Sequence, residues 1–301
     1  MRIRMPGKVT DRLWLLGREE SAVYLLEGDS CTMMISGGLS YIIPEVLRQI
    51  RDFGIAEEKI QKILILHSHF DHVGVVPFFQ RRIPEVEVLA SARAGEILSL
   101  RRNIETINAF NALVAKKMGT EAFLAGCDHL WRDDVRCLPV REGDIVDLGN
   151  VRLRIFETPG HSSCSIAAYE PERKMLFPSD AAGIPYKDML IVFGNSNFTK
   201  YQESLDKMNG LPVSWMCSDH YGCVTGDEAT RFIAECGEAA RSMRSFMEEL
   251  YRRNGSVDGT VDEMIRILRQ KREGFFLTEE IIRGVYHQMV RHVAASLNPQ
   301  G

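Results

Sequence analysis

The chain has no CxxC pair and an odd number of cysteines, seven in 301 residues, at 31, 127, 137, 164, 217, 223 and 236. That argues against a disulfide framework and against a cysteine zinc site, and reads as reduced thiols in a cytoplasmic protein. No apolar run approaches the roughly 20 residues that a membrane span needs, so no membrane partner is expected. The opening residues Met1-Arg2-Ile3-Arg4-Met5-Pro6-Gly7 carry basic groups with no apolar stretch behind them, so no signal peptide is expected. Positive charge is not in excess. Lys and Arg number 37 against 41 Asp and Glu, a net charge of −4, which disfavours a nucleic-acid binder. No internal repeat and no low-complexity segment is present.

What remains is an ordinary globular composition, 45% apolar and 26% charged over 301 residues. Such a chain can bury a full core as one large domain, or as one domain with an appendage. Histidine is scarce, at 8 residues, yet three of them fall in the six positions His67-Ser68-His69-Phe70-Asp71-His72. They follow directly on the apolar run Ile63-Leu64-Ile65-Leu66. Several buried, unpaired polar groups would be costly as mere packing. Neutral imidazoles with a carboxylate form a mixed N/O donor set that suits zinc, iron or manganese. A metal that acidifies water makes hydrolysis the first reaction to consider.

Apolar runs broken by glycine predict strands over 13–16, 23–26 and 32–35, and a short helix over 43–53 that stops at Gly54. Further strands are expected over 63–66 and 86–89, with helix over 92–117. A second strand-rich stretch covers 135–140, 145–148, 151–156, 165–169, 175–177 and 214–217, with a helix candidate at 198–208. Two such halves suggest two sheets packed face to face with helices outside. From about Gly226 only helical spacing remains, which gives a domain at 1–225 and a helical extension at 226–301. Asn254-Gly255 ends the first helix of that extension, Thr260 with Glu263 offers a capping box for a second, and Thr278 offers a cap for a third.

Further ligand types sit just after other strands. Thr158-Pro159-Gly160-His161 follows 151–156, Pro178-Ser179-Asp180 follows 175–177, and Ser218-Asp219-His220 follows 214–217. Four strand ends on one rim can converge on one cleft.

In order and spacing, the HxHxDH motif at 67–72, Pro-Gly-His at 159–161, Asp180 and His220 resemble the metallo-β-lactamase superfamily, over roughly residues 8–225. The resemblance implies an α/β (α+β) chain folded as an αββα sandwich with a C-terminal helical extension covering the active-site cleft. It implies that His67, His69 and His161 hold one metal, that Asp71, His72 and His220 hold a second, and that Asp180 bridges them. The ions would be zinc or iron, with manganese also acceptable. Asp71 would orient the attacking hydroxide that bridges the metals. The chain departs from the pattern at Ser36-Gly37-Gly38, where Asp-x-Gly is usual, and at Ser179, where Gly is usual. The Leu-Ala-Ser run at 89–91 and the Leu-Pro-Val-Arg run at 138–141 extend the likeness toward the quinolone-signal response thioesterases of this superfamily.

The expected activity is therefore binuclear metal-dependent hydrolysis of a small thioester or other ester. The alternatives are a phosphoester hydrolase, a sulfur dioxygenase with one iron, or a regulatory binding protein that retains a metal site. The expected partners are a small-molecule substrate, an acyl-CoA thioester among the candidates, and a second copy in a homodimer. Phe275, Phe276, Tyr286, Phe193 and Tyr186 are candidate pocket walls, although ordinary core packing is the simpler account of any one of them. Cys164 and Cys217 read as small buried residues. Asp219 reads either as support for His220 or as a polar strand end.

Overall fold

Successive residues of a strand point to opposite faces, and the apolar runs of the first half feed two layers at once. In the strand Ser21–Glu27, Ala22, Tyr24 and Leu26 enter one buried cluster while Val23 and Leu25 enter another. Thr32–Ile35, Ile60–Leu64 and Glu87–Ser91 divide in the same way. A sheet buried on both faces requires nearly continuous hydrophobic strands, which is why these do not alternate with polar residues.

The structure is a computed structural model that describes residues 1–187, 189–271 and 279–297. The chain divides into two compact units. The first comprises Met1–Glu157, Cys164–Ser179 and Pro212–Thr230. The second comprises Thr158–Ser163, Asp180–Leu211 and the described residues from Arg231 onward.

The first unit carries two seven-stranded sheets. One runs in the order Gly7–Lys8, Leu13–Arg18, Ser21–Glu27, Thr32–Ile35, Ile60–Leu64, Glu87–Ser91 and Cys137–Val140. Its pairing is antiparallel up to Thr32–Ile35 and parallel beyond. Parallel neighbours need crossovers, and the helices Ile43–Asp52, Val76–Arg82, Ala92–Ser99 and Arg101–Met118 lie in them. Their Val46, Ile50, Phe79, Leu98 and Ile107 pack with Val23 and Ile63 on one face of this sheet. The other face meets the second sheet, ordered Arg2–Ile3, Cys223–Thr225, Trp215–Cys217, Met175–Phe177, Ile166–Glu170, Arg152–Glu157 and Ile145–Asp147. Leu153, Ile155, Ile166 and Met175 pack there against Leu13, Met33 and Leu64, and the rings of Tyr24 and Phe177 meet at 5.6 Å.

In the second unit a hairpin, Ile184–Tyr186 with Met189–Ile191, precedes the helix Phe198–Asn209, which Asn197 caps through the Lys200 N–H at 2.9 Å. Most of the helix Asp227–Asn254 follows, then Val257–Lys271 and Glu279–Leu297. Arg244 ties three of these helices together, donating to Thr199 and Gln202 on one side and to Ser296 on the other. Among the described residues no helix is long and apolar enough to cross a membrane.

The helix expected to end at Asn254-Gly255 does so, with Gly255 left-handed at φ 67°. The next helix starts earlier than the Thr260–Glu263 capping box predicts. Ser256 takes the cap, its hydroxyl accepting from Gly259 N at 3.2 Å, and Thr260 lies inside the helix with its own hydroxyl donating to Ser256 O. Glu263 instead meets Arg253 at 2.6 Å and Asn254 at 2.9 Å. Thr278, Phe275 and Phe276 lie outside the described residues. The sequence does not predict the short helix Val76–Arg82, the edge strands Arg2–Ile3 and Gly7–Lys8, or the inner strand Cys223–Thr225, which are too short for periodicity to reveal.

Candidate metal centre

The histidine cluster begins where the chain passes from one sheet to the other. Ile65 N still pairs with Leu89 O of the first sheet, while Leu66 O accepts from Ile166 N of the second at 2.9 Å. His67 to His69 then leave the ladder, and a single 3-10 turn, Phe70–His72, closes with His72 N on His69 O at 3.0 Å. Asn111, buried on the helix Arg101–Met118, holds this turn by donating to Phe70 O at 2.9 Å and accepting from Ser40 N at 2.7 Å. Gly37 lets the turn approach. A Cβ at that position would sit 2.6 Å from His72 O.

The late ligand loop is tied to the opposite sheet. Ala22 N donates to Asp219 O at 2.9 Å, Tyr24 Oη to Ser218 O at 2.7 Å, and Tyr221 N to Glu19 O at 2.5 Å. Tyr221 is left-handed at φ 62°, as are Ser36 at 67° and Ser179 at 47°. Non-glycine residues rarely occupy that region, and such strain gathers at functional sites.

The donor atoms of Asp71, His72 and His220 lie within 4.8 Å of one another. Asp71 Oδ2 is 3.6 Å from His72 Nε2 and 3.8 Å from His220 Nε2. His72 Nδ1 faces Asp219 Oδ2 at 2.9 Å, and His220 Nδ1 faces the Glu20 carbonyl at 2.7 Å. Both partners are acceptors, so in the neutral rings both Nδ1 atoms carry the proton and both Nε2 atoms present lone pairs. Those Nε2 atoms are 3.2 Å apart. Two lone pairs facing at that distance repel each other, and a cation between them removes the repulsion. The donor set therefore fits a metal ion. The ring centroids of His67 and His69 lie 4.6 Å apart, and those of His67 and His72 lie 4.1 Å apart.

In the second unit, His161 Nδ1 donates to Phe193 O at 2.8 Å, which leaves Nε2 facing Asp180 Oδ2 at 3.5 Å. Gly160, at φ 137°, makes the turn that presents His161. A Cβ there would lie 2.2 Å from Tyr201 N at the start of the helix Phe198–Asn209.

The sequence thus points to residues that the fold gathers as a triad, Asp71–His72–His220, with His67 and His69 beside it, and as a pair, His161–Asp180. Asp219 supports His72 rather than His220, because it is the His72 ring that reaches its carboxylate. Ser179, which stands where glycine is usual, has a place in the site that the motif does not predict. Its hydroxyl lies within hydrogen-bond reach of His67, His72 and Asp219. Its departure from glycine was the available signal. Cys164 touches Ser68 at 3.2 Å and is buried, and Cys217 and Cys223 are buried neighbours whose sulfurs are 3.7 Å apart. Burial pushes the Cys217 thiol well up, which agrees with packing rather than nucleophilic roles. Tyr186 and Phe193 are both buried.

A two-sheet sandwich with imidazole and carboxylate donors after its strands defines a class of metal-binding hydrolase folds. A profile of the metallo-beta-lactamase superfamily matches residues 16–220, and the chain belongs to that superfamily. It is similar to the metallo-beta-lactamase fold-containing protein ST1585 of Sulfurisphaera tokodaii, at 25% identity over 69% of this chain and 75% of that protein. The crystal structure of ST1585 superposes with a TM-score of 0.60, at 19% identity, over 95% of this chain and 99% of that one. It is also similar to the human acyl-coenzyme A thioesterase MBLAC2, at 26% identity over 52% of this chain and 57% of that protein. A third relative is the hydroxyacylglutathione hydrolase of Buchnera aphidicola, at 25% identity over 67% of this chain and 63% of that protein. The match thus spans somewhat over half the length of the two named enzymes.

Proposed function

We propose that the protein is a binuclear metal-dependent hydrolase of acyl thioesters. In this reading His67, His69 and His161 would hold one ion, Asp71, His72 and His220 would hold the other, and Asp180 would serve both. The observation that carries this reading is the pair of Nε2 lone pairs of His72 and His220, 3.2 Å apart with Asp71 beside them. Support for the other ligands comes from connectivity. Asp180 directly follows Ser179, whose hydroxyl lies 3.1 Å from His67 Nδ1, and His161 stands three positions before Cys164, which touches Ser68. The thioester preference rests on what an acyl-coenzyme A thioesterase and a hydroxyacylglutathione hydrolase have in common.

When bound, metals of this kind supply Lewis acidity, which acidifies water and polarises a carbonyl. The chain supplies the rest. Protonated Nδ1 atoms keep the Nε2 atoms of His72, His220 and His161 aimed as neutral donors. Asp71 is the most accessible member of its triad, at 13% side-chain exposure against 1% for each histidine, so its carboxylate is the group that orients the attacking water and takes its proton. No side-chain nucleophile is needed. The helices from Arg231 onward share a unit with His161 and Asp180, which favours their shaping the acyl pocket, with Tyr186, Phe193 and Tyr286 among its walls.

Elemental analysis of freshly purified protein, followed by a screen of acyl-CoA thioesters, acyl-glutathione thioesters and phosphodiesters, tests the reading. Two equivalents of zinc, iron or manganese and chelator-sensitive thioester hydrolysis are expected. Protein that binds no stoichiometric metal overturns it.

A further inference from the structure

Asp219 is a carboxylate with 2% exposure, and the reaction outlined above does not use it. Burying a carboxylate is costly unless its charge is met. Its Oδ2 receives two bonds, one from His72 Nδ1 at 2.9 Å and one from Ser179 Oγ at 2.5 Å, while Oδ1 is buried with no protein partner. A serine hydroxyl has a single proton. Ser179 commits that proton to the carboxylate, so toward His67 Nδ1, at 3.1 Å, it can only accept. His67 must therefore carry its proton on Nδ1 and present Nε2, as His72 does. Ser179 reaches this geometry through a left-handed backbone, φ 47°, in a buried position.

We infer that Asp219 is a positioning residue for both ions, fixing the tautomer of His72 directly and that of His67 through the Ser179 hydroxyl. This rests on the two-metal reading above, in which His72 and His67 serve different ions. One buried carboxylate then sets the donor atom in each half of the site. Without it the imidazoles are free to carry the proton on Nε2, where it blocks coordination. Loss of such an outer partner weakens metal binding by about 10–100-fold.

The test uses full-length protein labelled with 15N at histidine, stripped of metal and held at pH 8.5, with long-range 1H–15N correlation spectra to read each ring's tautomer. Zinc affinities are measured in parallel by competition with a chelator. In the native sequence His67 and His72 are expected as Nδ1–H forms. Asp219→Ala is expected to release both rings and to weaken both zinc sites by about 10-fold or more. Ser179→Gly is expected to release His67 alone and to weaken one site. Glycine suits φ 47°, so this variant folds even where the alanine variant does not. Unchanged tautomers in Asp219→Ala, or an unchanged His67 ring in Ser179→Gly, overturn the inference. The two ideas fail separately: protein that binds zinc and hydrolyses no thioester sinks the proposed activity, while the ring spectra still decide the role of Asp219.

Discussion

His72 Nε2 and His220 Nε2 face each other across 3.2 Å, although 148 positions separate the two residues in the chain. Each ring is turned by an acceptor behind it, Asp219 for one and the Glu20 carbonyl for the other. Both acceptors belong to segments that bind the two sheets together. The pair is therefore held by the sandwich core and not by local sequence.

This pairing makes metal uptake and proton release linked events. An imidazole ligates only as the neutral ring, so protons compete with an ion for these nitrogens. Zinc titration at pH 6.5 is expected to be weaker than at pH 8, with protons released in calorimetry across two buffers of different ionisation enthalpy. His220→Ala is expected to lose about one equivalent of bound metal.

Asp180→Asn separates catalysis from any binding role. Hydrolysis is expected to fall by about 100-fold or more, the scale of losing one stabilising group at a reacting centre. Retention of full activity would remove Asp180 from the bridging position.

Gly160→Ala tests the turn that carries His161. A Cβ would lie 2.2 Å from Tyr201 N and 2.3 Å from Tyr201 Cα, and φ 137° is closed to alanine. A loss of about 3 kcal/mol in urea unfolding is expected, together with weaker metal binding.

Gln49→Leu tests the hairpin of the first sheet whose turn carries Glu20. Gln49 is 1% exposed, and its amide accepts from Gly17 N at 2.7 Å and donates to Gly17 O at 2.9 Å. Leucine leaves both backbone groups buried and unpaired, a cost of about 3 kcal/mol. Unchanged chemical denaturation would mean that water replaces the amide.

Cys236 gives the molecule an alkaline sensitivity. Burial pushes its thiol up to about 12, and Gly183 N donates to its sulfur. An unfolded thiol titrates near about 8.5. The folded state therefore holds the proton more tightly, so the contribution is fully present below the unfolded value and is lost as pH rises toward the folded one. Between pH 9 and 11 the native protein is expected to lose about 1.4 kcal/mol per pH unit more than Cys236→Ala. Equal slopes in urea titrations of the two proteins would refute this.

Much of the architecture is legible in the chain because strands buried on both faces must be written as continuous apolar runs. Residues 32–35 and 175–177 match the observed strands end to end. The tail helices follow from their three-to-four spacing, but Thr260 misleads because a capping box and an ordinary helical threonine look alike until Ser256 is seen to take the cap. The helix Val76–Arg82 is hidden because seven residues show too little of a 3.6-residue period.

For the site, the sequence alone determined the donor types. Three histidines and an aspartate within six positions, with His161, Asp180 and His220 after later strands, already supply nitrogen and oxygen donors of the kind a metal takes. Only the tertiary structure decided which nitrogen of His67 and of His72 has a hydroxyl or carboxylate behind it, and so which one would face an ion. A ring's proton follows whichever acceptor lies behind it, and Asp219 comes within reach only once the two sheets have closed.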